Sequence, residues 1–566
     1  MKNRLDFHPK FFSCIKNYNK ATFLSDLMAG VIVGIVALPL AIAFAIASGV
    51  SPEKGIITAI IAGFIVSFLG GSKVQIGGPT GAFIIIVYGV IQQYGISGLA
   101  AATVMAGAML IMLGAFRLGT VIKFIPYPVV VGFTSGIAVT IFTTQMADVF
   151  GLTFGGETVP GDFIGKWMLY FRHLDTINWW DALVSIVSVA IIVIVPKFSR
   201  RIPGSLVAIV LVTAGVWCLK SMLGIEDIDT IGDRFSISSR LPRAEMPALD
   251  WEAVKNLFPI AVTIAALGAI ESLLSATVAD GMISDHHNSN TELIALGIAN
   301  MVTPIFGGIP ATGAIARTMT NINNGGRTPV AGMIHAVVLL LILMFLMPLA
   351  KFIPMACLAG VLVVVSYNMS GWRTFRALLR NPKSDVTVLL ITFFLTVVFD
   401  LTVAITVGLL LACVLFMRRV METTEISAVK NEIKVQDESG IHTYDEGLVI
   451  PKGVEVYEIN GPYFFGVATQ FEEIMSEFGD RSRVRIIRMR KVPFIDSTGI
   501  HNLTNLCEMS AKKKITVVLS GVNPKVHAAL EKAGFYHLLG EKNICPDINV
   551  ALARAEEIIS APAAVR

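Results

Sequence analysis

Up to Arg419 the chain alternates long apolar runs with short polar connections, and after it the pattern changes. Runs such as "VIVGIVALPLAIAFAIA" (31–47), "MIHAVVLLLILMFLMPLA" (333–350) and "VTVLLITFFLTVVF" (386–399) approach or reach the ~20 residues that span a bilayer as helix. The spacing predicts spans near 25–48, 55–70, 80–94, 98–116, 127–147, 181–197 and 203–222. A second set is predicted near 256–280, 290–306, 312–322, 329–350, 353–367, 384–401 and 403–418. The expectation is an α-helical polytopic membrane protein of fourteen spans. Beyond them, strand-like stretches at 454–460, 483–489 and 514–520 alternate with helical ones at 469–478 and 500–513. That alternation predicts a small cytoplasmic α/β domain.

Composition agrees with lipid as the main solvent. Hydrophobic residues make up 54% and charged residues 15%, with a mean hydropathy of +0.70, against roughly 25% charge in soluble domains. Basic residues fix the expected orientation. With the N-terminus inside, Arg117, Lys123, Lys197, Arg200, Arg201, Arg327, Arg373, Arg376, Arg380, Lys383, Arg418 and Arg419 all fall on the cytoplasmic side. The outward loop 223–255 instead carries Glu226, Asp227, Asp229 and Asp233. This is the positive-inside asymmetry. The charged start, "MKNRLDFHPKFFSC", predicts no cleaved leader. Six scattered cysteines predict neither a disulfide framework nor a metal site, and a net charge of +4 is too small to suggest nucleic acid.

Two apolar segments are broken by nearly the same phrase, "IGGPTGAF" (76–83) and "GGIPATGAIARTM" (307–319). Aligning Pro79 with Pro310 gives an offset of 310 − 79 = 231. The same shift carries the first span onto the eighth and the fifth close to the twelfth. Two halves of seven spans follow, and an odd number per half inverts one relative to the other. Glycine- and proline-interrupted segments at matching positions of such halves point to a transporter's substrate site. Each is expected to run extended to mid-membrane and start a short helix at Thr80 or Thr312. The N–H groups and positive dipole ends of the two helices would then make an anion site. The alternative is two kinked helices packed through small residues.

Charge within the apolar segments supplies the other candidates. Glu271 in "LGAIESLLSATVADGM" lies well inside the eighth span and aligns with Leu40 of the first, since 40 + 231 = 271. An ionisable group at that depth is expensive and usually marks an ion or proton path; removal from water favours its neutral form. A simply paired carboxylate is the alternative. Arg317 in the second short helix is expected to hold an oxyanion, to pair with Glu271, or to satisfy carbonyls at the inner mouth. Asp148, Asp400, His286 and His287 read as span ends and a polar loop.

"ALPLAIAFAIASGVSPEKGI" (37–56), "GGPTGAF" (77–83), "GAIESLLSATVADGM" (268–282), "GGIPATGAIART" (307–318) and "VPFIDSTGI" (492–500) together resemble the SulP/SLC26 anion transporters over nearly the whole chain, in wording close to the bacterial dicarboxylate-type members. The resemblance implies a UraA-like fold of 7+7 inverted spans, with a core domain moving against a gate domain, and a C-terminal cytoplasmic STAS domain. The implied division is 1–24 cytoplasmic segment, 25–422 transport domain and 440–560 STAS domain. It further implies sulfate, bicarbonate or dicarboxylate as substrate and a homodimer in the bacterial inner membrane, with both termini cytoplasmic. Phe44, Thr80, Gly81, Ala82, Thr312, Gly313, Ala314 and Arg317 are the implied substrate residues, and Glu271 is the implied proton-coupling residue. Ser497 matches a phosphorylated serine of soluble relatives, which makes it a regulatory candidate and the STAS domain a docking site for a cytosolic protein; an Asp–Ser helix cap is the alternative. Leu40, Phe44 and Ala316 depart from the glutamine, tyrosine and serine of eukaryotic sulfate carriers. No cofactor is expected. The readings are a proton-coupled carrier, an uncoupled anion channel, or a membrane-anchored signalling protein. No nucleophile–base constellation or nucleotide loop suggests an enzyme.

Overall fold

The computed structural model describes residues 7–119, 126–157, 159–198, 203–224, 227–235, 244–246, 251–399, 401–429, 432–433, 448–467 and 482–560. Lys123, Arg200, Arg201, Glu226, Asp400 and the helical stretch expected at 469–478 lie outside these residues. Contacts divide the chain into two units, Met1–Ala412 and Cys413–Arg566.

Among the described residues, the regular structure of the first unit is helical apart from one short strand pair. Its main helices are α1 (Lys20–Ala47), α2 (Pro52–Leu69), α3 (Ile84–Ala115), α4 (Tyr127–Val149), α5 (Phe163–Arg172), α6 (Trp179–Phe198) and α7 (Gly204–Leu223). They continue with α8 (Trp251–Ile283), α9 (Ser289–Val302), α10 (Ile315–Asn323), α11 (Pro329–Phe345), α12 (Met355–Met369), α13 (Lys383–Val398) and α14 (Leu401–Glu422). Each of the fourteen expected apolar segments coincides with helix. The third and fourth are joined in α3, which breaks at Gly95 (φ 68°, ψ −172°). Among the described residues, nine helices are long and apolar enough to cross a membrane, and α11 is a shorter apolar helix. The amphipathic α5 was not expected.

Neighbour relations repeat between the halves. Helix α1 packs on α11 as α8 packs on α3, and α4 packs on α13 as α12 packs on α6. These packings also form two sets: α1–α3 with α8–α11, and α4, α6 and α7 with α12 and α13. Small residues let the backbones approach, as in other helix-packed membrane proteins. A Cβ on Gly107 of α3 would lie 2.7 Å from the Gly297 carbonyl of α9, and one on Gly297 would lie 2.6 Å from the Gly107 carbonyl. Any larger residue there forces α3 and α9 apart.

In the second unit, β3 (Glu425–Val429), β4 (Val454–Asn460), β5 (Val484–Lys491), β6 (Thr516–Ser520) and β7 (Ile544–Cys545) form one sheet in that order. Only the β3–β4 pair is antiparallel. Helices α15 (Ser497–Lys512), α16 (Pro524–Lys532), α17 (Phe535–Leu539) and α18 (Ile548–Ser560) complete the domain. Alternation along the strands sends Tyr457, Ile487 and Leu519 into the core with Leu503 and Leu530, and Val456, Ile486 and Val518 into that with Ala551 and Leu552. Both faces of the sheet are therefore covered, as parallel strands require.

Candidate functional site

The two interrupted segments meet. Strand β1 (Gly77–Gly78) pairs with β2 (Thr312–Gly313) antiparallel, Gly77 opposite Gly313 and Gly78 opposite Thr312. Opposite chain directions at equivalent positions are what inverted halves demand. The two helix N-caps, Thr80 and Ala314, correspond at an offset of 314 − 80 = 234. The Pro79–Pro310 alignment is therefore three residues out of structural register here. One consequence is a correction: Thr312 does not start the second short helix. Thr312 and Gly313 are strand residues, Ala314 is the N-cap and α10 begins at Ile315. In the first half Thr80 is the N-cap, followed by a 3-10 turn at Gly81–Phe83 that leads into α3.

Non-helical backbone at membrane depth must find partners inside the protein, and two asparagines supply them. Asn300 accepts from the Ala311 N–H (2.9 Å) and donates to the Ala311 carbonyl (2.8 Å). Asn321 donates to the Val74 carbonyl (2.9 Å). Thr312 uses its hydroxyl on the Gly268 carbonyl (2.8 Å), and the Ala314 N–H reaches the Ile76 carbonyl (2.9 Å).

The helix starts themselves carry no side-chain cap. Thr80 has a capping hydroxyl but donates it to Glu271 Oε2 instead, at 2.9 Å. First-turn N–H groups have no partner within their own helix, so two uncapped N-termini lie on either side of the strand pair. Around the first, a Cβ on Gly81 would meet Met369 Sδ at 3.0 Å, Ile141 Cδ1 at 3.2 Å and Phe44 Cε1 at 3.5 Å. Phe44, Ala82 and Ala314 are buried, and Ile315 and Ala316 are exposed. Gly313 faces elsewhere: its Cβ would lie 2.1 Å from Gln75 Nε2 and 2.9 Å from Ser272 Oγ.

Arg317 is 2% exposed and donates through Nη2 to the Pro79 carbonyl (2.7 Å). Its Nη1 packs where a Cβ on Gly78 would sit and has no hydrogen-bond partner. Among the described residues no ion pair joins it to Glu271. The side chain of the second half thus holds the backbone break of the first.

Sequence reasoning missed two buried carboxylates. Asp26 at the start of α1 accepts from the Arg327 N–H (2.9 Å), the Thr328 N–H (3.3 Å) and hydroxyl, and Tyr18 Oη (3.1 Å). Glu292 on α9 accepts from the Gly71 and Ser72 N–H groups (2.8 and 3.1 Å) and from Gln75 Nε2 (2.9 Å). Both sit at segment ends, where an acid reads as a surface charge.

A cavity of about 820 Å³ runs along α8 past Ile270, Leu274 and Thr277, with Val130 of α4 opposite, to a rim bearing Asp280 and His287. That volume suits a small-molecule site. The neighbouring Asp285 pairs with Lys73 (3.0 Å) and Lys10 (3.7 Å). Burial raises the Asp285 pKa, but the His286 N–H and the two lysines outweigh it and hold the carboxyl below its ordinary value. His287 Nδ1 lies 2.7 Å from Asp280 Oδ2.

In the second unit Asp496 is the N-cap of α15, accepting from the Gly499 N–H at 2.7 Å and the Phe465 N–H at 3.2 Å. Ser497 is the exposed first helical residue.

A multi-pass helical membrane fold with two interrupted segments joined at its centre, followed by a sheet-and-helix domain, defines a membrane transporter of anions. The chain belongs to the sulfate permease family: that family's model matches residues 23–392, and the STAS domain model matches residues 448–551. It is 40% identical over 540 residues to "Putative sulfate transporter YvdB" of Bacillus subtilis, covering 94% of this chain and 98% of that one. It is 30% identical over 542 residues to the bicarbonate transporter BicA of Synechocystis, covering 94% of each. The fold matches the murine Slc26a9 anion transporter in its inward-facing state with a TM-score of 0.87 at 19% identity, over 97% of this chain and 94% of that one.

Proposed function

We propose that the protein is a proton-coupled secondary transporter of a small anion of the sulfate or C4-dicarboxylate class, working by movement of one helix set against the other. The observation that carries this reading is the Thr80–Glu271 hydrogen bond. It puts a carboxyl group beside an uncapped helix N-terminus, so one local change in charge is felt by both proton and anion. An anion at the N–H groups of Gly81, Ala82 and the first turn of α10 offsets the positive helix ends. A bound anion and a charged carboxylate at that distance repel each other, so anion and proton load together.

The two packing sets supply the moving parts. The set α1–α3 with α8–α11 carries both helix starts and Glu271, whereas Ile141 and Met369 approach Gly81 from α4 and α12 of the other set. The core is thus a carrier and the gate its counterpart, in fourteen spans with the N-terminal segment 1–24 and the 440–560 domain in the cytoplasm of a bacterial cell and the molecule paired as a homodimer. The transport domain is 25–422, and Ser497 with a cytosolic protein partner is a route for regulation.

Bicarbonate is the second reading. The side chains of Phe44, Ala82, Ala314 and Ala316 add no donors, and Arg317 spends Nη2 on the Pro79 carbonyl, so backbone N–H groups supply most of the remaining donors. The deciding experiment is uptake of labelled sulfate, succinate and bicarbonate into proteoliposomes with and without an inward proton gradient. Gradient-driven accumulation of one of the first two is expected. Uptake that ignores the gradient and only follows the anion's own electrochemical potential refutes coupling and supports a channel.

A further inference from the structure

The face opposite the cavity is closed by an unusual pair. Tyr88 lies on α3 seven residues after Gly81, about 10 Å along a helix, and its ring sits against the turn at the end of α1, where a Cβ on Gly49 would be 3.3 Å away. Facing it is Lys166 of α5, with Nζ 5.5 Å from the ring centroid. Lys166 is 6% exposed. Lysine is seldom buried to that degree without a carboxylate partner, yet among the described residues no ion pair joins it to one. Asp162, one turn earlier, gives its carboxylate to the Gly165 N–H (2.6 Å). Burial lowers the Lys166 pKa from its ordinary value, with Asp162 pulling it back up.

Position gives this ammonium a purpose. Helix α5 is seated on the gate-like set: Tyr170 packs with Met146 and Leu152, and Val363 of α12 lies against them. Tyr88 belongs to the other set, on the same helix as the first anion-facing N-terminus. The contact therefore bridges the two bodies that must separate for that face to open. The cavity at the other face runs between the same two sets, α8 and α4, and ends beside Lys73 and Asp285. A cavity lies between the sets at one end, and at the other a cation rests on a ring across them.

We propose that Lys166 is a second anion station at the α5 face, holding the Tyr88 ring when that mouth is closed and the incoming anionic substrate when it is open. An ammonium on an aromatic face is attracted by the ring's quadrupole, and a charge-assisted contact to an oxyanion is the stronger alternative. Withdrawal of Tyr88 with its helix frees the ammonium about two helical turns from the central site. The ligand class is that of the central site, so this inference rests on the carrier reading.

The test uses full-length protein in liposomes of defined orientation. Initial uptake of labelled sulfate and, in parallel, labelled bicarbonate is measured against anion concentration at the α5 face and at the cavity face. Lys166→Met should raise the half-saturating concentration at the α5 face roughly five- to tenfold, leave the cavity-face value within about twofold, and barely change the maximal rate; Lys166→Arg should restore it. Tyr88→Leu removes the competing ring and should lower the half-saturating concentration at the α5 face only. An unchanged α5-face value, an equal shift at both faces, or an effect confined to the maximal rate overturns the station. If the lysine variants do not fold, a Tyr88→Leu value that stays constant or rises overturns it alone. Absence of saturable uptake by the unaltered protein from either face overturns the carrier reading and this inference with it.

Discussion

Thr80 gives its hydroxyl hydrogen to Glu271 across 191 residues of sequence, 2.9 Å between the oxygens. The N-cap of one interrupted segment is thereby committed to a carboxylate on a helix of the other half, and its own first-turn N–H groups stay free for a ligand. Glu271→Gln keeps the shape but cannot release a proton. The variant should bind anion and exchange it, yet lose acceleration by an inward proton gradient. Thr80→Val, which removes the donor and keeps the β-branched shape, should shift the pH profile of uptake while leaving some transport. Full gradient-driven accumulation by the glutamine variant would remove Glu271 from coupling.

The two glycines of the repeated phrase are not equivalent. Both are implied substrate residues, but only at Gly81 does an added Cβ reach the space between the two helix sets. There the contacts of an added Cβ are the mobile ends of Met369 and Ile141, so Gly81→Ala should fold normally and transport more slowly, and Gly81→Leu should abolish binding. At Gly313 the obstacle is Gln75, which is tied to Ser272 (2.7 Å) and to Glu292 (2.9 Å). Moving it takes one of three donors from the buried Glu292 carboxylate. Gly313→Ala should lower stability by about 1–3 kcal/mol, read as a lower melting temperature in detergent with anion affinity unchanged in the folded fraction.

These differences mark where the sequence was legible. Broken apolar runs and their duplication pointed to a pair of central breaks because glycine and proline clustered within a few residues disfavour a continuous helix. The register between the breaks was not legible, since a two-residue strand has no hydrophobic period and the prolines offered a plausible alignment three residues away. Helix α5 was too short and too polar to read as a span. Asp26 and Glu292 were hidden because a span's end normally faces water; burial came from loop segments, Arg327–Thr328 and Gly70–Gln75, folding back over them. Arg317 was expected to hold the anion, to pair with Glu271 or to satisfy carbonyls at the inner mouth; that it takes the Pro79 carbonyl depends on backbone geometry that no residue type announces.

Asp26 should be a stability residue. Two N–H groups, a hydroxyl and a phenol converge on it, and alanine leaves the buried donors without an acceptor. Asp26→Ala should destabilise the protein by on the order of 3 kcal/mol. The phenol gives a pH readout. Burial first, then Asp26, push the Tyr18 pKa up to about 12. A pKa raised on folding adds stability that is complete below the free phenol's value of ~10. That contribution disappears as pH rises to about 12. Asp26→Asn should bring the Tyr18 ultraviolet titration midpoint down; a midpoint that stays put would show burial acting alone.

Removing the chain from about residue 430 onward should not change which anion is preferred, because every proposed ligand of the anion lies between Phe44 and Arg317. Transport rate and membrane yield are expected to fall, with the ranking of sulfate, succinate and bicarbonate preserved. A reordered ranking would place part of the selectivity in the STAS domain.

The start of α15 separates support from signalling. Asp496 accepts from Gly499 and from Phe465, so it both caps the helix and ties it to the 465–467 turn of helix. Asp496→Ala should cost about 1 kcal/mol, and somewhat more for the Phe465 N–H left behind. Ser497 is exposed at the first helical position and contributes no cap, so Ser497→Ala should leave the stability within about 0.5 kcal/mol of the unaltered protein. A phosphate there would meet a favourable helix N-terminus and the unfavourable neighbouring charge of Asp496. The helix would persist and its surface would change sign. Ser497→Asp imitates part of that charge, and in reconstituted full-length protein it should alter the transport rate while Ser497→Ala does not. Equal rates for both variants would leave Asp496 as the sole working residue of the motif and remove Ser497 from regulation.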